Sequence, residues 1–143
     1  MYRIGIDLGG TNIVAAVVDD DYKMVAKAKT PTAIPRTPDE IFDDIARVSK
    51  EAMAEAGITI ADIKSVGIGT PGTVNAEGVI EYANNLGFDH VPAKQMLIDR
   101  LGCDNVFVEN DANCAAWAEY VIGSSKNMPY SVMVTLGTGI GGG

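Results

Sequence analysis

The sequence contains two cysteines, one histidine and no long apolar run, and each of these absences excludes a class of protein. Cys103 and Cys114 have no Cys-x-x-Cys or Cys/His spacing, which argues against a zinc cage and against a disulfide framework. No stretch approaches the roughly 20 apolar residues that a membrane-spanning helix needs. No signal segment precedes the first predicted strand, so the chain is expected in the reducing cytoplasm, with both cysteines as buried thiols.

Positive charge is also scarce. The 143 residues include 11 Lys and Arg against 19 Asp and Glu, a formal net charge of −8. Because phosphate backbones bind clustered cations and this chain has no such cluster, nucleic acid is not expected as a partner. A hydrophobic share of 47% and a charged share of 21% argue against disorder, and the length suits one domain.

The first part of the chain is predicted to form a three-stranded antiparallel meander. Three β-branched segments separated by short turns cover residues 2–8, 13–19 and 22–30. Only four residues join the first two strands, too few for a helical crossover. This connection excludes a Rossmann unit, although Gly137, Gly139 and Gly142 have the spacing of a dinucleotide-binding turn.

The rest of the chain alternates helices and strands, which predicts a mixed α/β sheet with an antiparallel and a parallel side. A proline-rich connector leads to an amphipathic helix over 39–56 that ends at Gly57. Further strands are predicted at 63–72 and, as buried strands, at 105–110 and 130–136. Further helices are predicted at 93–102 and 111–123, and a short strand with a loop at 78–92.

Aromatic residues on the 111–123 helix are expected to belong to the core. Trp117 and Tyr120 lie at core-like spacing from Ala116 and Ile122. We therefore interpret them as packing residues, not as a platform for stacked bases.

The segment Asp7–Asn12 combines a Gly-Gly turn with a carboxylate and polar side chains. A hairpin alone explains Gly9 and Gly10, because glycine tolerates positive φ. Asp7 at the strand end and Thr11 and Asn12 beyond the turn favour a second interpretation. Free backbone N–H groups would receive phosphate oxygens there, and the carboxylate would hold Mg²⁺ through water.

The last residues form a second glycine-rich segment, in which five of the final seven residues are glycine. Glycine at this density carries a heavy entropic cost, which a simple turn does not require. It lets the backbone approach a ligand closely, as phosphate loops do. We predict a second phosphate-facing loop.

Polar residues also cluster at the end of the 105–110 strand. Asp111 is a good helix N-cap, and this structural role is one interpretation. The other is chemical, since Glu109–Asn113 supplies two carboxylates and two amides where α/β sheets open to ligands. A carboxylate there can accept a proton from a hydroxyl nucleophile. The turns at 69–72 and 83–85 would add short polar groups suited to sugar hydroxyls.

Five segments taken together, IGIDLGGTNIVAAVVD, GIGTPGTVN, ANNL, VENDANCAAWAEYVIG and VTLGTGIGGG, resemble the ROK (repressor, open reading frame, kinase) family of sugar kinases. The resemblance covers essentially the whole chain and is strongest to bacterial ATP-dependent glucokinases. It implies an RNase H-like lobe of the actin/Hsp70/hexokinase-like ATPases. It also implies ATP-dependent phosphorylation of a hexose, glucose to glucose 6-phosphate, as in glycolysis.

The resemblance assigns a role to each candidate residue. Asp111 is implied to be the catalytic base, and Asp7 the carboxylate on the Mg²⁺ side, acting through water. The residues implied to bind the sugar are Gly72, Asn84, Asn85, Asn110 and Asp111. The residues implied to bind the ATP phosphates are Gly9, Gly10, Thr11, Asn12, Gly137, Thr138 and Gly139.

Members of the resembled family continue into a second lobe with a zinc motif, most of the adenosine pocket and the dimer contacts. The resemblance therefore implies that residues 1–143 are the N-terminal lobe of a two-lobe, homodimeric kinase, nearly inactive alone and without the zinc site. Two alternatives stay open. One is a sugar-sensing regulator of the same family, disfavoured because no helix-turn-helix precedes the first strand. The other is an actin/Hsp70-type lobe, for which the ENDAN and ANN segments have no evident purpose.

Overall fold

The β-branched segments at the start of the chain form the antiparallel part of a sheet in the computed structural model, which describes residues 1–136 and 140–143. The strands are β1 (Tyr2–Leu8), β2 (Asn12–Val18) and β3 (Met24–Pro31). β2 pairs antiparallel with both β1 and β3, which confirms the predicted meander. β3 begins later than predicted because Tyr22 lies in a turn with a left-handed φ of 61°.

The predicted amphipathic helix is α1 (Pro38–Glu55). Thr37 and Glu40 form a capping box, in which the Glu40 backbone N–H donates to Thr37 Oγ1 and the Thr37 N–H donates to Glu40 Oε2. Gly57, in the left-handed region (φ 69°), follows the helix as the sequence predicts. The apolar side of α1 is buried against β2 and β3.

After β4 (Ile63–Thr70), a small three-stranded antiparallel sheet replaces much of the predicted loop. Its strands, joined partly by a turn of 3₁₀ helix at Asn84–Leu86, are β5 (Thr73–Val74), β6 (Ile80–Ala83) and β7 (Phe88–Val91). With two to four residues each, these strands are too short for an alternating pattern to identify them.

The next three elements follow in the predicted order as α2 (Ala93–Leu101), β8 (Val106–Asn110) and α3 (Asp111–Val121). The predicted burial of β8 is only partly correct, because Phe107 is 61% exposed. The five strands lie in the order β3-β2-β1-β4-β8, and β4 is parallel to both β1 and β8. α1 and α2 pack together against one face of this sheet, and α3 contacts β4 and β8. The predicted α/β architecture with an antiparallel and a parallel side is confirmed.

The strand predicted at residues 130–136 is present only at its end, and its predicted burial is wrong. Within residues 1–136 and 140–143, β9 (Val134–Leu136) pairs only with β10 (Ile140–Gly142), in an antiparallel two-stranded sheet separate from the main sheet. Leu136 is 81% exposed, and Tyr130 and Val132 are also exposed. An apolar run predicts a strand, but burial depends on a covering surface that the described residues do not supply here.

The core position predicted for Trp117 and Tyr120 is also wrong. Their exposed fractions are 67% and 42%, and the two rings contact each other with centroids 5.5 Å apart. α3 buries fully only Ala112. Helical spacing shows that residues share a face, and it does not show whether another element covers that face.

Both cysteines are free thiols, as predicted, with Cys103 buried and Cys114 only half-buried. Among the helices of the described residues, none has the length and apolarity needed to cross a bilayer.

Candidate active site

The carboxyl ends of the three parallel strands bring the predicted polar segments to one edge of the sheet. The Gly9–Asn12 turn follows β1, the Gly72 turn follows β4, and Asp111 follows β8. In the strand register, Asp7 lies opposite Gly69, which in turn lies opposite Glu109. This edge is where α/β sheets of this kind bind ligands.

Asn110 is the N-cap of α3, so the capping role considered for Asp111 is wrong. Asn110 Oδ1 accepts hydrogen bonds from the backbone N–H groups of Ala112 (2.9 Å) and Asn113 (3.2 Å). Asp111 is the first residue of the helix and is exposed. Its Oδ1 accepts a 2.8 Å hydrogen bond from the Ala112 N–H, and the start of a helix favours a negative charge.

A contact between Asn110 and Gly72 joins two of these strand ends. The Asn110 Nδ2 group donates a 3.0 Å hydrogen bond to the Gly72 carbonyl. Gly72 has a φ of 93°, and a Cβ at this position would overlap the carbonyl oxygen of Tyr82. Glycine is therefore required here by both the backbone conformation and the available space.

Glu109 supports the same segment from the other side. Its Oε1 accepts hydrogen bonds from the Asn110 backbone N–H (2.8 Å) and from Asn113 Nδ2 (3.0 Å). The amide of Asn113 is thus engaged within the protein.

The Gly9–Asn12 turn presents free donors. The Gly9 N–H donates to the Asn12 carbonyl at 2.9 Å, which closes the turn. No acceptor within residues 1–136 or 140–143 receives the N–H groups of Gly10 and Thr11. Successive free N–H groups in a turn suit the binding of an anion such as phosphate.

Thr32 is a residue at this edge that the sequence reasoning missed. Its hydroxyl donates a 2.6 Å hydrogen bond to the Gly9 carbonyl, and its N–H donates to the Thr11 carbonyl at 2.9 Å. No local signal marks it, because it lies in a proline-rich connector 23 residues from Gly9 in the sequence.

The Asn84–Leu86 turn lies near the Gly9–Asn12 turn. A Cβ on Gly10 would be 3.7 Å from the Asn85 Cβ, so Asn85 borders the Gly9–Asn12 turn. Asn84 is exposed, and its Oδ1 accepts a 3.2 Å hydrogen bond from the Tyr82 hydroxyl.

A groove of about 590 Å³ extends from this edge along the sheet face beside α3. Its lining is mostly apolar, with the carboxylates of Asp7, Glu109 and Asp111 among the lining residues. Asp7 retains contact with solvent, but the groove partly shields its carboxyl from water. This partial burial raises the pKa of Asp7, and the negative charge of Asp111 raises it further. Burial, followed by the charges of these carboxylates, raises the pKa of the Cys114 thiol. The groove is therefore electronegative and favours a cation.

The donor set fits Mg²⁺ bound together with phosphate. Among the described residues, no group of three or more His, Cys, Asp or Glu side chains is placed to hold a metal ion. Mg²⁺ keeps several waters and commonly uses one or two carboxylates plus substrate phosphates. Asp7, close enough to Asp111 for their charges to interact, meets that requirement.

The second predicted phosphate loop, Gly137, Thr138 and Gly139, lies outside the described residues. Near it in the sequence, Gly141 lies beside α3, where an added Cβ would be 3.7 Å from the Ala112 Cβ.

The fold and the glycine turns at its ligand edge define an α/β lobe of the actin/hexokinase-like ATPase class. The model of the ROK family matches residues 3–143, and the chain belongs to this family.

Individual relatives narrow the comparison. The chain is 41% identical over 141 residues to a glucokinase from Streptomyces coelicolor, covering 98% of this chain and 42% of that protein. It is 36% identical over 143 residues to an N-acetylmannosamine kinase from Citrobacter koseri, covering 100% of this chain and 47% of that protein. The crystal structure of a Streptomyces griseus ROK glucokinase in complex with glucose and AMPPNP superposes with a TM-score of 0.88 at 38% identity, over 99% of this chain and 43% of that one. The chain thus spans less than half the length of these relatives.

Proposed function

We propose that this chain provides the phosphate-binding turn and the proton acceptor of an ATP-dependent hexose kinase, with glucose as its substrate. The observation that carries this function is that β1, β4 and β8 are parallel neighbours, so the Gly9–Asn12 turn and Asp111 follow strand ends at one edge of the sheet. The glucokinases among its relatives support it, one of them in complex with glucose and AMPPNP.

Asp111 acts as the general base. One of its oxygens is held by the Ala112 N–H, which leaves the other free to accept the proton of a sugar hydroxyl. As that proton moves to Asp111, the hydroxyl oxygen bonds to the γ-phosphorus of ATP, and the bond from this phosphorus to the β–γ bridging oxygen breaks. ADP leaves with the electron pair of that bond.

Asn110 orients the sugar beside the base. Its amide oxygen caps α3, and one of its two N–H bonds is directed at the Gly72 carbonyl, so the second N–H remains for a sugar hydroxyl. Gly72, Asn84 and Asn85 complete this side of the site with a backbone group and two exposed amides. Short, converging polar groups of this kind suit a polyol.

The phosphates bind at the glycine turns. Gly10 and Thr11 donate their N–H groups, Gly9 and Asn12 shape the turn, and Gly137, Thr138 and Gly139 are the second set of residues proposed to bind phosphate. Asp7 is the residue that would hold Mg²⁺. When bound, Mg²⁺ supplies positive charge that offsets the charge of the phosphates.

Because the chain spans 42% of the S. coelicolor glucokinase, we propose the activity for residues 1–143 together with the part that the relatives have beyond them, as the N-terminal lobe of a two-lobe kinase. N-acetylmannosamine is the second candidate substrate, favoured by the identity to the C. koseri kinase.

A chimera tests this function. Residues 1–143 replace the matching 42% of the S. coelicolor glucokinase, and ADP release is measured with glucose, mannose, N-acetylmannosamine, allose and fructose. Glucose is expected to give the highest kcat/KM. A preference for N-acetylmannosamine would select the second candidate. A folded chimera that binds glucose but phosphorylates none of these sugars would contradict the proposal.

Asp111→Asn in the same chimera tests the base. Turnover is expected to fall by about 10² or more, with sugar affinity within a few-fold, because the lost group acts in proton transfer. Asp21→Asn, in the exposed turn after β2, is the matched control. If the turnover of Asp111→Asn is close to that of the control, Asp111 is not the general base.

A further inference from the structure

Thr32, just after β3, is a polar residue with no exposed surface. Its hydroxyl donates to the Gly9 carbonyl at 2.6 Å and its backbone N–H donates to the Thr11 carbonyl at 2.9 Å. Two carbonyls of the turn, on either side of Gly10, are therefore directed at a single buried residue.

The turn needs these contacts because its Gly-Gly pair is flexible. A Gly-Gly pair can adopt many backbone conformations, and several of them would direct a carbonyl oxygen toward a bound anion. The Gly9 carbonyl shares a peptide plane with the Gly10 N–H, so holding this carbonyl toward Thr32 directs the Gly10 N–H away from it. The contact to the Thr11 carbonyl holds the other side of the turn, and the Thr11 N–H between the two contacts stays available. Donors fixed in advance bind charge without a cost of reorganisation.

Thr32 is itself held firmly. The preceding residue, Pro31, pairs with Asn12 across β2 and β3. The Thr32 carbonyl accepts a 3.4 Å hydrogen bond from Arg36 Nη1, which also bonds to Asp44 of α1 at 2.6 Å. Thr32 and Arg36 thus connect the turn to α1.

We infer that Thr32 is a positioning residue for the phosphate turn: its hydroxyl and N–H hold Gly9 and Thr11 so that the N–H groups of Gly10 and Thr11 face the nucleotide. This inference rests on the proposed function, because the ligand of the turn is the ATP phosphate.

The test uses Thr32→Val, which keeps the shape but loses the donor, and Thr32→Ser, which keeps the hydroxyl. The matched control is Ser49→Ala, which removes another buried hydroxyl, one that donates to the Ile45 carbonyl within α1. Backbone ¹⁵N relaxation of Gly9, Gly10 and Thr11 is measured without ligand in the chimera with the S. coelicolor glucokinase, which supplies the remaining part of the kinase. Titration with MgATP then follows the amide shifts of Gly10 and Thr11.

Thr32→Val is expected to increase the mobility of the turn and to weaken MgATP binding about tenfold, the effect of losing one hydrogen bond of ordinary strength. Thr32→Ser should remain within about twofold of the wild type, and Ser49→Ala should leave the turn unchanged. If the Thr32 hydroxyl contributed only to overall stability, Thr32→Val and Ser49→Ala would change the mobility of the turn and MgATP binding to the same extent.

The outcomes separate this inference from the proposed function. An unchanged turn in a folded Thr32→Val chain overturns the inference. A turn that loosens while wild-type Gly10 and Thr11 show no response to MgATP supports the positioning role and contradicts the proposed function. If Thr32→Val does not fold, Thr32→Ser decides, because a loosened turn despite the retained hydroxyl overturns the inference and an unchanged turn supports it.

Discussion

The side-chain amide of Asn110 donates a 3.0 Å hydrogen bond to the backbone carbonyl of Gly72, 38 residues away in the sequence. The oxygen of the same amide caps α3. One side chain therefore sets both the start of the helix and the position of the turn after β4. Because Asp111 follows directly, this contact also places the proposed base relative to the sugar side of the site.

Substitutions of Asn110 can separate these two contacts. Asn110→Ser keeps a good N-cap, whereas Asn110→Ala removes the cap, and both variants lose the amide N–H that donates to the Gly72 carbonyl. Asn110→Ala is expected to be less stable than Asn110→Ser by about 1 kcal/mol in urea unfolding. In the chimera, both variants should lose sugar affinity to a similar extent. Equal stability of the two variants would show that the cap contributes nothing.

Gly72→Ala is expected to destabilise the chain much more than Gly87→Ala. Both glycines have positive φ, 93° and 66°, but a Cβ on Gly87 meets nothing within 4 Å, whereas one on Gly72 overlaps Tyr82. The left-handed backbone alone should cost Gly87→Ala about 1–2 kcal/mol. The overlap should add at least about 2 kcal/mol for Gly72→Ala, measured by urea unfolding. Losses of equal size would mean that the small sheet yields to the added methyl group.

Asp7→Asn is expected to stabilise the chain at neutral pH. Burial and the charge of Asp111 raise the pKa of Asp7 in the folded state, so folding favours its protonated form. The stability due to that proton is present in acid and is lost as the pH rises through the folded pKa. Asn cannot ionise, so its advantage in Tm should be largest at pH 7 and should vanish below the ordinary Asp pKa of 3.8. An advantage that does not depend on pH would contradict this assignment, and Asp21→Asn serves as the control.

Arg36→Gln is expected to lower stability by about 1 kcal/mol near neutral pH, since the ion pair is partly exposed and Arg36 also bonds backbone carbonyls. Hydrogen bonds from Arg36, and then from Arg47, lower the pKa of Asp44. The stability due to charged Asp44 is present above its ordinary pKa and is lost as the pH falls through the lowered value. The gap between wild type and variant should therefore narrow in acid.

Arg47→Gln is the matched control, because the more exposed Arg47 also pairs with Asp44. It should reduce stability by less than Arg36→Gln, as measured by urea unfolding across the acid range. A larger loss of stability for Arg47→Gln would show that the contacts of Arg47 on the exposed helix surface contribute more than those of Arg36 in the connector.

Most of the architecture could be predicted because its signals are local. Alternating β-branched residues in β1 and β2 and the 3.6-residue period of α1 can be read within a few turns of chain. β5, β6 and β7 could not be predicted, since strands of two to four residues show too little alternation. The candidate site followed from polar groups at strand ends, because parallel strands place their carboxyl ends at a common edge.

The amino-acid sequence by itself determined the identity and order of the main elements, the family, and the glycine turn and carboxylate at the ligand edge. Only the tertiary structure decided that Asn110 caps α3, that Thr32 holds the turn from 23 residues away, and that Trp117 faces outward. The physical reason is the distance along the chain over which each interaction acts. Backbone preferences act between neighbours in the chain, whereas capping partners, buried hydroxyls and exposed faces depend on which distant segments pack against them.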